Sequence, residues 1–90
     1  PTNLVYGIGD YKITGARRFA DKVYITGAGF TESSVVYINN LKQDTTFINE
    51  NTLMIPSRRY KDGCTIVVKQ LCANGHALNI TKPYYVDIAR

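Results

Sequence analysis

Groups able to do chemistry are few in this 90-residue chain and poorly spaced for one another. His76 is the single histidine. It follows an Asn74-Gly75 pair, and no serine or cysteine is fixed beside it as a nucleophile, so an exposed turn residue is expected rather than a general base. Cys64 and Cys72 are eight positions apart in what reads as one extended segment, which would separate them by about 26 Å at strand rise. A disulfide spans at most about 7 Å between Cα atoms, so both are expected as free thiols, with Cys64 alternating with Ile66 and Val68 as a small core hydrophobe. Neither has histidine partners at zinc-ligand spacing. The acids Asp10, Asp21, Glu32, Asp44, Glu50, Asp62 and Asp87 contain no D-x-D-x-D-G calcium loop and no helical pairing. Gly27-Ala28-Gly29 opens like a phosphate-cradling G-x-G-x-x-G but has Glu32 at the sixth position, and β-branched residues follow where a helix is required. The expectation is a chain that is not an enzyme and holds no metal or cofactor.

What remains is binding chemistry. Arg58, Arg59, Tyr60 and Lys61 form the densest basic patch, suited to a phosphate-rich polymer or, in the plainer reading, a solvated loop. The balance of 11 Lys and Arg against 7 Asp and Glu gives +4, a mild bias toward an anionic partner. Seven tyrosines occur. Tyr24 and Tyr37 alternate with Val23, Ile25, Val36 and Ile38, which turns them outward if those aliphatics face the core. They can tile an exposed sheet, for which tyrosine has high propensity, dock a neighbouring domain, or stack on a sugar. Asn79-Ile80-Thr81 matches the glycosylation triplet, a pattern that arises easily by chance.

The elements that must position these groups are strands. Val23–Thr26 and Val35–Ile38 flank Gly27-Ala28-Gly29 and Phe30, and a lone Phe between strands is expected to fold back into the core. Tyr11–Gly15 reads as a first strand with 16–21 as a connection, and Thr45–Ile48, Thr52–Ile55, Cys64–Leu71 and Ala77–Thr81 follow. Asn39-Asn40, Asn49-Glu50-Asn51, Asp62-Gly63 and Asn74-Gly75 supply turns, and Lys82-Pro83 interrupts the last strand before Tyr84-Tyr85-Val86. Seven short strands at about 8–12 residue spacing, with no helical periodicity, predict an all-β antiparallel sandwich. The expected core is Val23, Ile25, Phe30, Val36, Ile38, Phe47, Leu53, Ile55, Ile66, Val68, Leu78 and Ile80. Residues 1–10 read as a linker or extension and 11–90 as one domain, taken to be excised from a larger protein. No apolar run approaches 18 residues, so no membrane insertion by this segment is expected.

Several of these residues fall into a recognisable order. Val23, Ile25 and Gly27, then Gly29-Phe30, then Val36 and Ile38 ahead of Asn39-Asn40, resemble the immunoglobulin-like IPT/TIG-type domain. Thr52-Leu53-Met54-Ile55-Pro56 resembles that family's T-L-x-V-P segment, and Asp62-Gly63 with Ile66-Val67-Val68 resembles its following strand. The likeness covers roughly Tyr11 to Thr81. It departs where the family's opening Pro and paired glycines are replaced by Thr14 to Lys22, which predicts a tighter first hairpin, and it finds no counterpart from Lys82 onward. The spacing is also similar to the small domain that follows membrane-anchored, sulfatase-fold phosphoglycerol transferases. The resemblance implies a non-catalytic accessory or spacer module of an extracellular bacterial cell-surface protein. Its partner would be a neighbouring domain of the same polypeptide or, alternatively, an anionic wall polymer or glycan, with no nucleic acid expected. The candidate interaction surface is Arg58, Arg59, Tyr60, Lys61, Tyr24 and Tyr37.

Overall fold

Strict alternation of aliphatic with polar or aromatic side chains gives most segments one face to bury, and antiparallel pairing brings those faces into register. In the computed structural model, which describes residues 11–87, this produces nine strands and no helix: β1 (Lys12–Phe19), β2 (Lys22–Ala28), β3 (Ser34–Ile38), β4 (Leu41–Lys42), β5 (Thr46–Asn49), β6 (Thr52–Pro56), β7 (Thr65–Leu71), β8 (Ala77–Ile80) and β9 (Tyr84–Tyr85). The segment 1–10, expected as a linker, lies outside the described residues, as do 88–90. One sheet has the order β1-β2-β6-β5 and the other β4-β3-β7-β8, with β9 also paired to β7.

The two sheets form a sandwich around matched aliphatic rows. Val23 pairs with Ile55, and Ile25 with Leu53, in the first sheet; Val36 pairs with Val68, and Ile38 with Ile66, in the second. All eight are at most 1% exposed, and burying each contributes about 1.5–3 kcal/mol. Phe30, Cys64 and Val86 complete the buried cluster, and Phe47 packs against it half-buried.

Leu78 and Ile80 do not belong to this core; they are 38% and 54% exposed. Ile80 pairs with Lys69, whose β7 neighbours Val68 and Gln70 lie on the other face, so Ile80 stands outward with Lys69. The inward position passes to Thr81, which is buried and accepts the Val68 N–H on Oγ1 at 3.0 Å while its own N–H donates to the Val68 carbonyl at 3.0 Å. β8 and β9 are thus two pieces of one edge strand broken at Lys82-Pro83, as proline in an edge strand requires.

The nine strands exceed the expected seven because the last strand is split in two and β4 is added; β1 also runs longer than expected. Segment 16–21 is largely strand rather than connection: β1 continues through Arg17 and Arg18 to a two-residue turn at Ala20-Asp21, with Phe19 paired to Lys22. The expected tight first hairpin is therefore present. At Asn39-Asn40 both residues take left-handed backbone, φ 49° and 68°, the requirement of a type I′ turn. That turn returns β4 alongside β3, pairing Leu41 with Ile38 and Lys42 with Tyr37. The chain then leaves for the other sheet through a buried polar corner. There Gln43 N–H donates to the Val36 carbonyl at 2.8 Å, and Thr45 Oγ1 accepts from Val36 N–H at 2.9 Å and donates to the Gln43 carbonyl at 3.0 Å.

Register also places the loops in two groups at opposite ends of the strands. At the entry pole, where Tyr11 precedes β1, lie the β2–β3 connection, the 50–51 turn and the β7–β8 loop; Phe30 N–H bonds the Glu50 carbonyl and Leu71 N–H the Ser33 carbonyl. At the exit pole lie the Ala20-Asp21 and Asn39-Asn40 turns and the 57–64 loop, with Ser57 N–H bonded to the Asp21 carbonyl and Gly63 N–H to the Val86 carbonyl.

Phe30 closes the entry pole. Its ring lies edge-on to Tyr11, centroids 6.1 Å apart at 87°, and the Tyr11 hydroxyl bonds Ser34 Oγ at 2.9 Å. Beneath it, a Cβ on Gly27 would come within 2.0 Å of the Lys12 carbonyl oxygen and 2.6 Å of Phe30 Cζ. Gly27→Ala is therefore expected to lower stability by about 3 kcal/mol or more in urea denaturation, beyond the usual range for one added methyl. Phe30→Ala is expected to cost about 3–5 kcal/mol. A near-wild-type melting curve for either variant would contradict this packing.

Candidate functional site

Among the described residues, five charged side chains converge on a groove at the exit pole. After β6 the chain turns through Ser57–Gly63, with Tyr60 N–H bonded to the Ser57 carbonyl and Cys64 N–H to the Lys61 carbonyl, both at 3.1 Å. Gly63 permits the final turn with φ 85°. This conformation leaves Arg58, Arg59 and Lys61 exposed. It turns Tyr60 the other way, so its ring packs against the core and its hydroxyl reaches the Ala16 carbonyl at 3.4 Å. Of the four residues read as one basic patch, the aromatic is thus directed away from the three cations.

The opposite wall comes from β4 and the corner after it. Arg58, Arg59 and Lys61 line a groove of about 570 Å³ together with Lys42, Asp44, Gln43, Asn39, Leu41, Ile38 and Pro56. Lys42 was not among the residues singled out from sequence. The signal for it is the Asn39-Asn40 pair, since a type I′ turn at this pole folds the next residues back against the end of β3 and keeps Lys42 close to the turn. Asn39 is held in place by its N–H to the Thr65 carbonyl at 2.9 Å and by Oδ1 accepting from Thr65 N–H at 3.0 Å. Gln43 is fixed by donating from Nε2 to the Leu41 carbonyl at 2.9 Å.

The two outward tyrosines lie on opposite sheets and far from being one patch. Tyr24 stands in a cross-strand row with Arg17 and Met54, beside a shallow depression of about 550 Å³ lined by Gly15, Ala16, Arg17, Phe19 and Thr26. Tyr37 stands on the outer face of the other sheet between Lys42 and Val67, and Lys69 Nζ lies 4.5 Å above its ring centre. Both rings are half-buried by these neighbours, which is how tyrosines that tile a sheet are accommodated.

The remaining candidate groups have structural roles or stand alone. Cys64 is buried and Cys72 half-buried, both as free thiols. His76 is exposed in the β7–β8 loop. In the Asn79-Ile80-Thr81 triplet, Asn79 is half-buried and Thr81 is engaged by Val68. Among the described residues no three His, Cys, Asp or Glu side chains converge as metal ligands, and no helix is long and apolar enough to cross a membrane. With this geometry in hand, comparison with known proteins adds no relative: the chain matches no family model, no curated protein and no solved structure.

Among the described residues, the Tyr11 and Tyr60 hydroxyls are held above the ordinary range. Burial raises Tyr60, with Tyr84 and Cys64 adding to it; burial raises Tyr11, partly offset by its hydrogen bond with Ser34. A phenol near pH 10 in the unfolded chain that holds its proton more tightly when folded stabilises the fold fully below that pH. The contribution is then lost as pH rises through the higher folded value. Urea midpoints are therefore expected to fall between pH 9 and pH 11.5, and to fall less in the Tyr11→Phe, Tyr60→Phe double variant. Equal slopes in the two proteins would show that these hydroxyls titrate as in the unfolded chain.

Proposed function

We propose that this chain is an immunoglobulin-like module without catalytic chemistry of its own, serving as a spacer or accessory piece of a larger bacterial cell-surface protein. The observation that carries the reading is directional. The described chain enters the sandwich at Tyr11, beside Phe30 and Ser34, and leaves at the opposite pole past Val86, whose N–H bonds the Cys64 carbonyl at 2.9 Å. A domain entered at one end and left at the other extends a polypeptide by its own length. The described body suits that use, with extents of 44 × 22 × 22 Å.

Strand order supports the immunoglobulin-like part of the reading. Lettering the strands from the amino end makes β1-β2-β6-β5 the order A-B-E-D, and β3-β7-β8 the order C-F-G, with β4 as an added C′ strand. The residues that resemble the IPT/TIG pattern also have local reasons to be what they are. Gly27 faces the Lys12 carbonyl, Gly29 takes φ 79°, and Phe30 is 3% exposed. The extracellular bacterial setting rests on that resemblance.

A head-to-tail fusion of two copies tests the spacer role by small-angle scattering. The expected result is a rod close to twice the 44 Å length of one copy. A particle no longer than a single copy, with the two packed side by side, would contradict an in-line spacer.

A further inference from the structure

We infer that the exit-pole groove is a binding site for a phosphodiester polymer built on an aliphatic polyol, a ligand with repeated phosphates and no rings. This goes beyond the spacer role and does not depend on it. Four cations, Lys42, Arg58, Arg59 and Lys61, line one groove of about 570 Å³ against a single acid, Asp44, in a chain whose overall excess is only +4. They arrive from separate segments, Lys42 from β4 and the others from the loop after β6. Convergence of this kind concentrates positive potential in a concave surface, which attracts a flexible polyanion more strongly than the same charges scattered.

The donor set suits phosphate. Each guanidinium offers a planar fork that meets two phosphate oxygens at once, while the lysines act as point charges that tolerate a mobile chain. Asn39 Oδ1 accepts from Thr65 N–H, which leaves the side-chain NH2 to donate to a ligand. The wall that carries Lys42 is set by the left-handed Asn39-Asn40 turn and the tethered Gln43, so less ordering is required on binding.

The lining also discriminates among polyanions. It contains no aromatic residue, and the one aromatic of the loop, Tyr60, packs against the core. Single-stranded nucleic acids are held by base stacking as well as charge, and pyranose rings are commonly met by aromatic faces. A groove that supplies charge and hydrogen-bond donors without a stacking platform favours a ring-free phosphodiester chain over both.

The test is an amide chemical-shift titration of the labelled chain with polyglycerol phosphate, run beside a dT oligonucleotide matched in phosphate count and beside heparin. Shifts are expected at 39–44 and 58–61, with polyglycerol phosphate binding at least as tightly as either competitor. If three to four phosphates are engaged, affinity should drop roughly 20- to 50-fold between 50 and 200 mM salt, by the single-strand counterion slope. Arg58→Ala with Arg59→Ala, and separately Lys42→Ala, should each weaken binding, whereas Lys12→Ala with Lys82→Ala, outside the groove, should not. Silence at low salt overturns the proposal. So does tighter binding of the oligonucleotide or heparin, or an equal loss in the Lys12, Lys82 variant, which would reduce the effect to net charge.

Discussion

A single close approach holds the sandwich in its arrangement: the backbone of β1 lies against β2 where Gly27 has no side chain. The Lys12 carbonyl oxygen occupies the place a Cβ would take, and Phe30 Cζ closes the same space from the other side. Asn51 seals the rim by donating Nδ2 to the Gly27 carbonyl at 2.9 Å, while Gly27 N–H bonds the Asn51 carbonyl at 2.9 Å. From this notch Phe30 reaches the core, and Tyr11 ties its ring to Ser34 at the start of β3. The first sheet is thereby fastened to the second at one pole, and the aliphatic rows behind it need only stay in register. The motif Val23, Ile25, Gly27, Phe30 is thus intelligible as packing, whatever the ancestry of the chain.

Alternation made the centre of the fold legible and misled at its edge. Val23, Ile25, Val36, Ile38, Leu53, Ile55, Ile66 and Val68 are read correctly because central strands pair on both sides and their inner faces admit one solution. Leu78 and Ile80 alternate just as cleanly, yet alternation states which residues share a face and leaves open which face is inward. Just past the end of β8 the inward post beside Val68 goes to Thr81, a polar residue whose hydroxyl and amide both serve the β7 backbone. The register irregularity between Gln70 and Leu71 is of the kind that shifts such phase. The sequence pattern stops β1 short for a related reason: Arg17 and Arg18 look like loop residues but are consecutive positions of an edge strand, where charged side chains guard an unpaired edge.

The candidate site was legible in part for the same physical reasons. Arg58, Arg59 and Lys61 are neighbours in sequence, so their proximity required no knowledge of tertiary structure. Tyr60 sits among them, and only the turn through Ser57 and Lys61 reveals that its ring goes to the core side. Lys42 enters the groove through a hairpin whose returning strand has two residues, too short for any periodicity to register. Tyr24 and Tyr37 were rightly turned outward, but a period of two carries no information about which sheet a strand joins, and they lie on opposite faces of the sandwich.

The division between the two poles gives these features a common logic. The entry pole is dense and exacting: Gly27, Phe30, Tyr11 and Ser34 leave little room for change without loss of stability. At the exit pole Lys42, Arg58, Arg59 and Lys61 are exposed, and exposed charges of this sort contribute little to folding. The loop that carries three of them is nevertheless anchored, because Tyr60 reaches back to the core and Gly63 is bonded to the Val86 carbonyl. A loop fixed from within and charged without can change its outer residues at small cost to the fold. That is the condition under which a surface becomes adaptable, and the proposed binding groove lies next to the point where the described chain leaves the sandwich.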